Sequence, residues 1–335
     1  MEEGFRIWAN PSSPHAEGRK ARAALEDARE RIKARLGLGQ GDKNYELIFT
    51  SGASEAAALA LQQAKAGARL VSSVEHDAVL KAVPDAERLP VLSNGALDLE
   101  NLREALQREN PLVAVQQVNS ETGNRQDLEA ISAMVEDAGG MLLADCAQSA
   151  AKLALPPCDM AVLSAHKFGG PIGIGALLVA DYAMLSPTGG HERGYRRGTE
   201  NLPGALGMAA ALEVAGQPYL DPAILKPLDQ LADEVRAEGG TWLSDRLLDS
   251  TPYIRAIAMP NMSATAQVMR FDMAGIAVSQ GSACSSGTMK TSHVMEAMQV
   301  EPEVAANTIR VSLGWNTTRE EVERFCDVWL GMARS

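Results

Sequence analysis

Short apolar runs punctuate the first half of the chain. ELIFT closes at Thr50, RLVSSV at Val74, PLVAVQQVN at Asn119, MLLAD at Asp145, MAVLS at Ser164 and GALLVA at Ala180. Apolar runs of this length, bounded by turn residues, read as buried strands. Between them the period changes. Ala21, Leu25, Ala28, Ile32 and Leu36 recur every three or four positions among Arg, Lys and Glu, which predicts an amphipathic helix over 16–36. SEAAALALQQA, DLENLREALQ and DLEAISAMVEDAG carry the same spacing. Strand–helix alternation of this kind predicts an α/β fold, with a large domain built on a mostly parallel sheet covered by helices on both faces. After Arg197 the pattern changes to a long helix and then a mixed region, which predicts a smaller α+β C-terminal domain. The boundary is expected near residue 210, giving domains 1–209 and 210–335, with the residues up to Asn10 packing on the small domain.

Composition adds exclusions. The 335 residues are 46% hydrophobic and 22% charged, which suits a protein able to bury a full core. With 31 basic against 43 acidic residues the net charge is −12, so a nucleic-acid partner is not expected. MEEGFRIW is acidic and has no apolar signal core, and no apolar run reaches the length that crosses a bilayer. A cytoplasmic location and no membrane partner are expected. Cys146, Cys158, Cys284 and Cys326 match no zinc spacing and no redox pair, and no metal is expected. Three of them read as small buried hydrophobes. Cys284, set in QGSACSSG, reads instead as a thiol on an exposed, mobile loop, where reactivity is the natural reason to keep it.

In an open parallel sheet ligands gather beyond the carboxyl ends of the strands. Thr50–Ser54, Glu75–His76, Asn119, Asp145–Gln148 and Ser164–Lys167 all lie at such ends. Lys167 follows one apolar strand and Asp145 ends another. An aldehyde cofactor such as pyridoxal phosphate needs a lysine for its Schiff base and a carboxylate against its pyridine nitrogen, and these two supply both types. Taken alone, Lys167 reads equally as a solvated loop lysine. TSGASEAAALAL runs from a glycine turn into a helix, whose free N–H groups make an anion site with the Ser54 hydroxyl beside it; an ordinary capped helix has the same composition. Ser164 and His166 are close enough in sequence to the lysine to reach the same phosphate. His76 is a candidate to stack on a flat ring or to move protons near neutral pH.

Nine motifs in colinear order then carry a resemblance from about Asn10 to Thr318. They are NPSSPHAEGRKAR, FTSGASEA, EHDAV, VNSETGNRQD, LADCAQSAAK, SAHKFGGPIGIGALLV, GGHERGYRRGTEN, GSACSSG and RVSLGWNTT. Together they resemble the cysteine desulfurases of the NifS/IscS type, fold-type I pyridoxal-phosphate enzymes of the aminotransferase class V group. The resemblance implies that Lys167 carries the cofactor aldimine, Asp145 holds the pyridinium nitrogen and His76 stacks over the ring. It implies Gln148 at the phenolic oxygen, with Asn119 beside it and near the substrate. Ala53, Ser54, Ser164 and His166 would hold the phosphate. Thr199 would reach the phosphate of a neighbouring subunit, which implies a homodimer with shared sites. Arg310 would clamp the substrate α-carboxylate, a task suited to a bidentate guanidinium, although a surface ion pair would use the same residue. L-Cysteine would leave as alanine, its sulfur held as a persulfide on Cys284 and passed to an acceptor protein such as an iron–sulfur cluster scaffold.

The chain also departs from the family pattern. Family members usually begin with a strand like YLDYAATTP, and nothing ahead of NPSS corresponds to it. That segment normally lies near the active site, so a wider pocket or an altered dimer is expected. The region 217–270 is shorter than usual. Ser54, Ser120 and His191 stand where Thr, a second Asn and Gln are common. Two other readings stay open. One is another class V lyase, acting on selenocysteine or cystine. The other is a shortened non-catalytic paralogue serving as a binding or regulatory partner.

Overall fold

Alternate residues of the apolar runs do face opposite ways, and each face has its own helices. In the computed structural model, residues 1–7, 9–38, 45–216, 218–281 and 292–334 are described. The strands of the main sheet are β1 (Glu46–Thr50), β2 (Ala68–Ser72), β3 (Glu87–Leu89), β4 (Pro111–Gln116), β5 (Met141–Asp145), β6 (Met160–Ser164) and β7 (Gly175–Val179). The helices up to β7 are α1 (Glu2–Arg6), α2 (Ala16–Arg35), α3 (Ala53–Gln63), α4 (Asp77–Ala82), α5 (Leu99–Ala105) and α6 (Leu128–Asp137); α7 (Leu202–Val214) follows. Leu47, Phe49, Val113, Val115, Ala161 and Leu163 pack with α2, α5, α6 and α7. Ile48, Leu112, Ala114, Met160 and Val162 pack on the other face with α3 and α4.

The strand order is β1-β7-β6-β5-β4-β2-β3. The ladders from β6 to β3 are parallel, while β7 runs antiparallel to both its neighbours. The parallel strands therefore deliver Gln116, Asp145 and Ser164 to one edge. The reversed β7 could not be read from GALLV, because an apolar run looks the same in either direction.

A second sheet of four antiparallel strands follows, in the order β10-β11-β9-β8. Its strands are β8 (Thr241–Trp242), β9 (Ile254–Ala258), β10 (Ser279–Gln280) and β11 (Thr308–Ser312). Its helices are α8 (Lys226–Ala237), α9 (Ala264–Met273), α10 (His293–Ala297), α11 (Pro302–Asn307) and α12 (Arg319–Ala333). Leu228, Leu231 and Val235 of α8, Phe271 of α9 and Phe325 and Trp329 of α12 cover the sheet through Ile257, Ile309 and Val311. The α+β character of this half is as expected.

Two details of the expected division change. Residue 210 falls inside α7, which the first core claims whole through Leu202, Ala205, Met208, Ala209 and Leu212. The second core begins only at Leu228. The N-terminal residues pack on α7 rather than on the small domain: a Cβ on Gly4 would lie 2.6 Å from Pro203 Cα. Val294, Met295 and Met298 also leave the second sheet and join the first core. Cys146, Cys158 and Cys326 are buried thiols. Among the described residues, no helix is long and apolar enough to cross a membrane.

Candidate active site

The edge formed by β4, β5 and β6 gathers most of the expected residues. Ser164 ends β6, and a 3-10 turn, Ala165–Phe168, places Lys167 directly beyond it. Ala165 and Phe168 are buried and fix the turn, while Lys167 stays partly exposed. Gly169 closes the turn at φ 84°, a left-handed conformation, and a Cβ there would meet Trp315 Nε1 at 2.7 Å. Burial, and then the Arg310 charge, push the Lys167 amine below the usual lysine range, with Asp145 pulling the other way.

Asp145 is half-buried at the end of β5, and its Oδ1 accepts the Ala147 N–H at 2.8 Å. Burial raises its carboxyl, opposed by that hydrogen bond and by His76 and Lys167. Behind it lies Glu75, fully buried. Glu75 Oε1 accepts the Gln116 N–H at 2.8 Å, and Oε2 has no partner. Burial first, and Asp145 next, hold the Glu75 carboxyl well above the ordinary range. His76 caps α4: its Nδ1 accepts the Ala78 N–H at 3.0 Å, which leaves the proton of the neutral ring on Nε2. The ring is exposed and free to lie over a ligand.

The turn after β1 has the form of a phosphate cradle. Thr50 Oγ1 donates to Gly52 O at 3.0 Å, and Gly52 adopts φ 154° as the N-cap of α3. No side chain caps this helix, so the N–H groups of Ala53 and Ser54 in its first turn remain for an anion. A Cβ on Gly175 of β7 would lie 2.7 Å from Gly52 Cα, so the close approach of strand and turn requires glycine there. Ser164 Oγ and His166 Nδ1 share a hydrogen at 3.0 Å, and burial lowers the His166 ring's basicity. Glu55, one residue after Ser54, accepts the Ser51 N–H at 2.5 Å and pairs with Arg196 at 2.8 Å. This ties the turn to the loop that carries Thr199. Thr199 itself is exposed, as a residue offered to a neighbouring subunit would be.

Arg310 reaches the site from β11 of the second sheet. Its Nη1 donates to Ser120 O at 2.9 Å and its Nη2 to Ser279 Oγ at 3.3 Å, while its Nε is buried with no partner among the described residues. Burial lowers its basicity and Glu121 opposes that. A partly buried guanidinium so held is suited to clamp a carboxylate.

Not every expected residue is free. Asn119 commits its side chain to the turn: Oδ1 accepts from Glu121 N at 2.9 Å, Thr122 N at 2.9 Å and Thr122 Oγ1 at 3.1 Å, and Nδ2 donates to Val74 O at 3.1 Å. These bonds hold Asn119 at the floor of the site, beside the turn that carries Ser120. Its neighbour Ser120 is the one that meets Arg310. Gln148 sits half-buried on the turn after Asp145. Cys284, with all of 282–291, lies outside the described residues. Two residues that the pattern did not single out join the site. Glu121 faces Arg310, and His293 donates from Nε2 to Glu75 O at 2.9 Å.

The site tested against pyridoxal phosphate offers what that group requires. An amine of lowered basicity and a carboxylate lie on neighbouring strands, an exposed imidazole stands by, and an uncapped helix start holds Ser54.

Comparisons with known proteins agree with the geometry. The sequence profile of the Aminotransferase class-V family matches residues 3–325. A cysteine desulfurase of Cereibacter sphaeroides is 35% identical, over 96% of this chain and 87% of that protein. Cysteine desulfurase IscS 1 of Archaeoglobus fulgidus is 33% identical, over 97% of this chain and 90% of that one. Among solved structures, a NifS-like protein from Rickettsia africae superposes with a TM-score of 0.87 at 27% identity, covering 100% of this chain and 95% of its own.

Proposed function

The chain belongs to the class-V aminotransferase family, and from that premise we propose that it is a cysteine desulfurase dependent on pyridoxal phosphate. The observation that carries this reading is the Arg310 guanidinium, held by Ser120 O and Ser279 Oγ and near enough for its charge to act on the Lys167 amine. It asks for a carboxylate close to the lysine, as an α-amino acid substrate would provide.

Lys167 would hold the cofactor, Asp145 would face its ring nitrogen, and Ala53, Ser54, Ser164 and His166 would take the phosphate. Thr199 would serve the phosphate of a second subunit in a homodimer. When bound, the cofactor supplies an aldehyde for an amine and a ring that takes up the electrons of a broken Cα–H bond. Arg310 binds the substrate carboxylate and orients the amine toward Lys167. Lys167 Nζ, its basicity lowered by burial, moves the Cα proton. His76 keeps its proton on Nε2 on the open side of the site. The Cys284 thiolate attacks the substrate sulfur. The C–S bond of L-cysteine breaks, an S–S bond forms on the enzyme, the carbon takes up a proton, and alanine leaves. The persulfide then passes to an acceptor protein, such as an iron–sulfur scaffold, in the cytoplasm.

The test is alanine release from L-cysteine under reductant, in the parent and in Cys284→Ala. Alanine from the parent alone is expected. Equal alanine from both would replace the desulfurase with a thiol-independent lyase. No alanine and no bound cofactor would end the enzyme reading.

A further inference from the structure

The His76 imidazole is exposed, so its direction is set by the backbone that bears it and by the bond from the Ala78 N–H to its Nδ1. A ring that must meet a cofactor squarely needs that backbone held by fixed partners. Most of the holding comes from β4 and the turn after it. Val74 O accepts from Gln116 Nε2 and, at 3.1 Å, from Asn119 Nδ2, and the Glu75 side chain accepts the Gln116 N–H. The peptide that joins Glu75 to His76 is gripped from another element. His293 Nε2 donates to Glu75 O at 2.9 Å. That carbonyl shares one plane with the His76 nitrogen and both Cα atoms, so holding it fixes how His76 leaves the strand end.

His293 is a stiff donor because its neighbours in the chain are anchored. It opens α10, which Ser292 caps through Oγ, accepting the Met295 N–H at 3.1 Å. The same hydroxyl donates to Glu121 Oε2 at 2.5 Å, while Val294 and Met295 are buried in the first core. Ser120, the residue before Glu121, gives its carbonyl to Arg310. Hydrogen bonds and chain neighbours therefore run from Arg310 through Ser120–Glu121 and Ser292–His293 to Glu75–His76.

We propose that His293 is a positioning residue: through the Glu75 carbonyl it aims the His76 imidazole at the cofactor ring, in one frame with the carboxylate clamp at Arg310. This rests on the pyridoxal-phosphate reading, which gives His76 its task. His293 acts through His76 and need not touch cofactor or substrate.

The visible circular dichroism of the holoenzyme tests it, because that band reports how the bound ring sits among its neighbours. His293→Ala is expected to change the band and to lower kcat for alanine formation about three- to tenfold, the net effect of one hydrogen bond, with little change in KM for L-cysteine. His76→Ala should change the band as well, and the double variant should be no slower than His76→Ala alone. His293→Gln, which keeps a donor within reach of the Glu75 carbonyl, should restore band and rate. An unchanged band in His293→Ala, additive losses in the double variant, or a His293→Gln variant no better than His293→Ala would each overturn the proposal. If the parent binds pyridoxal phosphate but releases no alanine, the desulfurase reading is what fails, and the band alone decides. If the parent binds no pyridoxal phosphate, the cofactor reading fails, and amide exchange decides the anchor. Faster exchange of the Ala78 amide in His293→Ala upholds it, and unchanged exchange sinks it.

Discussion

Removing Glu192 is expected to destabilise the whole large domain, because its carboxylate is the main partner of a buried guanidinium. Arg29 on α2 donates to it through two nitrogens, Nη1 to Oε2 at 2.9 Å and Nη2 to Oε1 at 3.1 Å. Glu192 Oε2 also accepts the Phe49 N–H of β1 at 2.8 Å, and the guanidinium lies 4.8 Å over the Phe49 ring. Glu192→Ala leaves Arg29 with the Leu47 carbonyl and with Glu26, whose side chain is 43% exposed, and leaves the Phe49 N–H without an acceptor. Breaking a buried pair from one side costs about 3–5 kcal/mol. At about 2 °C per kcal/mol for a chain of this size, Tm should fall by about 6–10 °C. The double variant Arg29→Met/Glu192→Met buries no charge and should recover most of that loss, the orphaned Phe49 N–H keeping about 1–3 kcal/mol of it.

Glu192 and Arg193 also adopt left-handed φ values of 47° and 55°, so the pair holds the loop in a conformation that non-glycine residues rarely take up. That loop runs on to Arg196, which grips Glu55 at the phosphate turn. Glu192→Ala should therefore also weaken retention of pyridoxal phosphate, measured by dialysis and visible absorbance. Thermal melts of the cofactor-free protein read the stability directly. A Tm drop under about 2 °C, equivalent to about 1 kcal/mol, or a double variant as unstable as the sum of its parts, would refute the reasoning.

Two further outcomes are expected. Arg310→Gln should raise KM for L-cysteine about 10- to 100-fold, the effect of one or two charge-assisted hydrogen bonds, and leave turnover of cysteamine, which lacks the carboxylate, unchanged; equal losses on both would remove Arg310 from the clamp. Lys152 is 8% exposed, its Nζ lies 5.1 Å over Tyr219 and 4.7 Å over Tyr253, and burial pushes its amine from 10.5 down to about 8. Keeping it charged costs about 3 kcal/mol below pH 8, offset by about 1 kcal/mol from the rings. Lys152→Met should thus be about 2 kcal/mol more stable at pH 7. Between pH 8 and about 10.4 the unfolded chain binds the extra proton, so the parent's stability rises and the variant's advantage fades. Chemical denaturation at pH 7 and pH 10 checks both the sign and the window, and an advantage constant across it would exclude the buried amine as its source.

What the sequence disclosed follows from the range of the interactions. β1, β5 and β6 were legible to the residue because each is a short apolar run that stops at a polar residue, Thr50, Asp145 or Ser164, at the edge where the site lies. The N-terminal turn of α3 was legible for the same local reason. α7 hid the domain boundary because LPGALGMAAALEV has no polar stripe. Its small residues let α1, α2 and the Lys167 turn all approach it, which erases the usual amphipathic signature. ERL of β3 is too short to form a pattern.

The division of labour between Asn119 and Ser120 has a different origin. Asn119 and Ser120 are adjacent polar residues in a turn, and only the hydrogen-bond network decides which one pins the loop and which one meets Arg310. Glu121 and His293 were invisible for a stronger reason. They are 172 positions apart in the chain, and each on its own reads as an ordinary turn acid or loop histidine. They are brought together when β11 delivers Arg310 to Ser120 and when Val294, Met295 and Met298 leave the second sheet for the first core. The apolar packing of three residues after Ser292 fixes α10, α10 fixes the Ser292 cap, and the cap sets the hydroxyl that Glu121 accepts. A polar contact of this kind is set by hydrophobic docking elsewhere in the molecule, so the motif that contains Glu121 can name a family and still leave the contact with Ser292 unread.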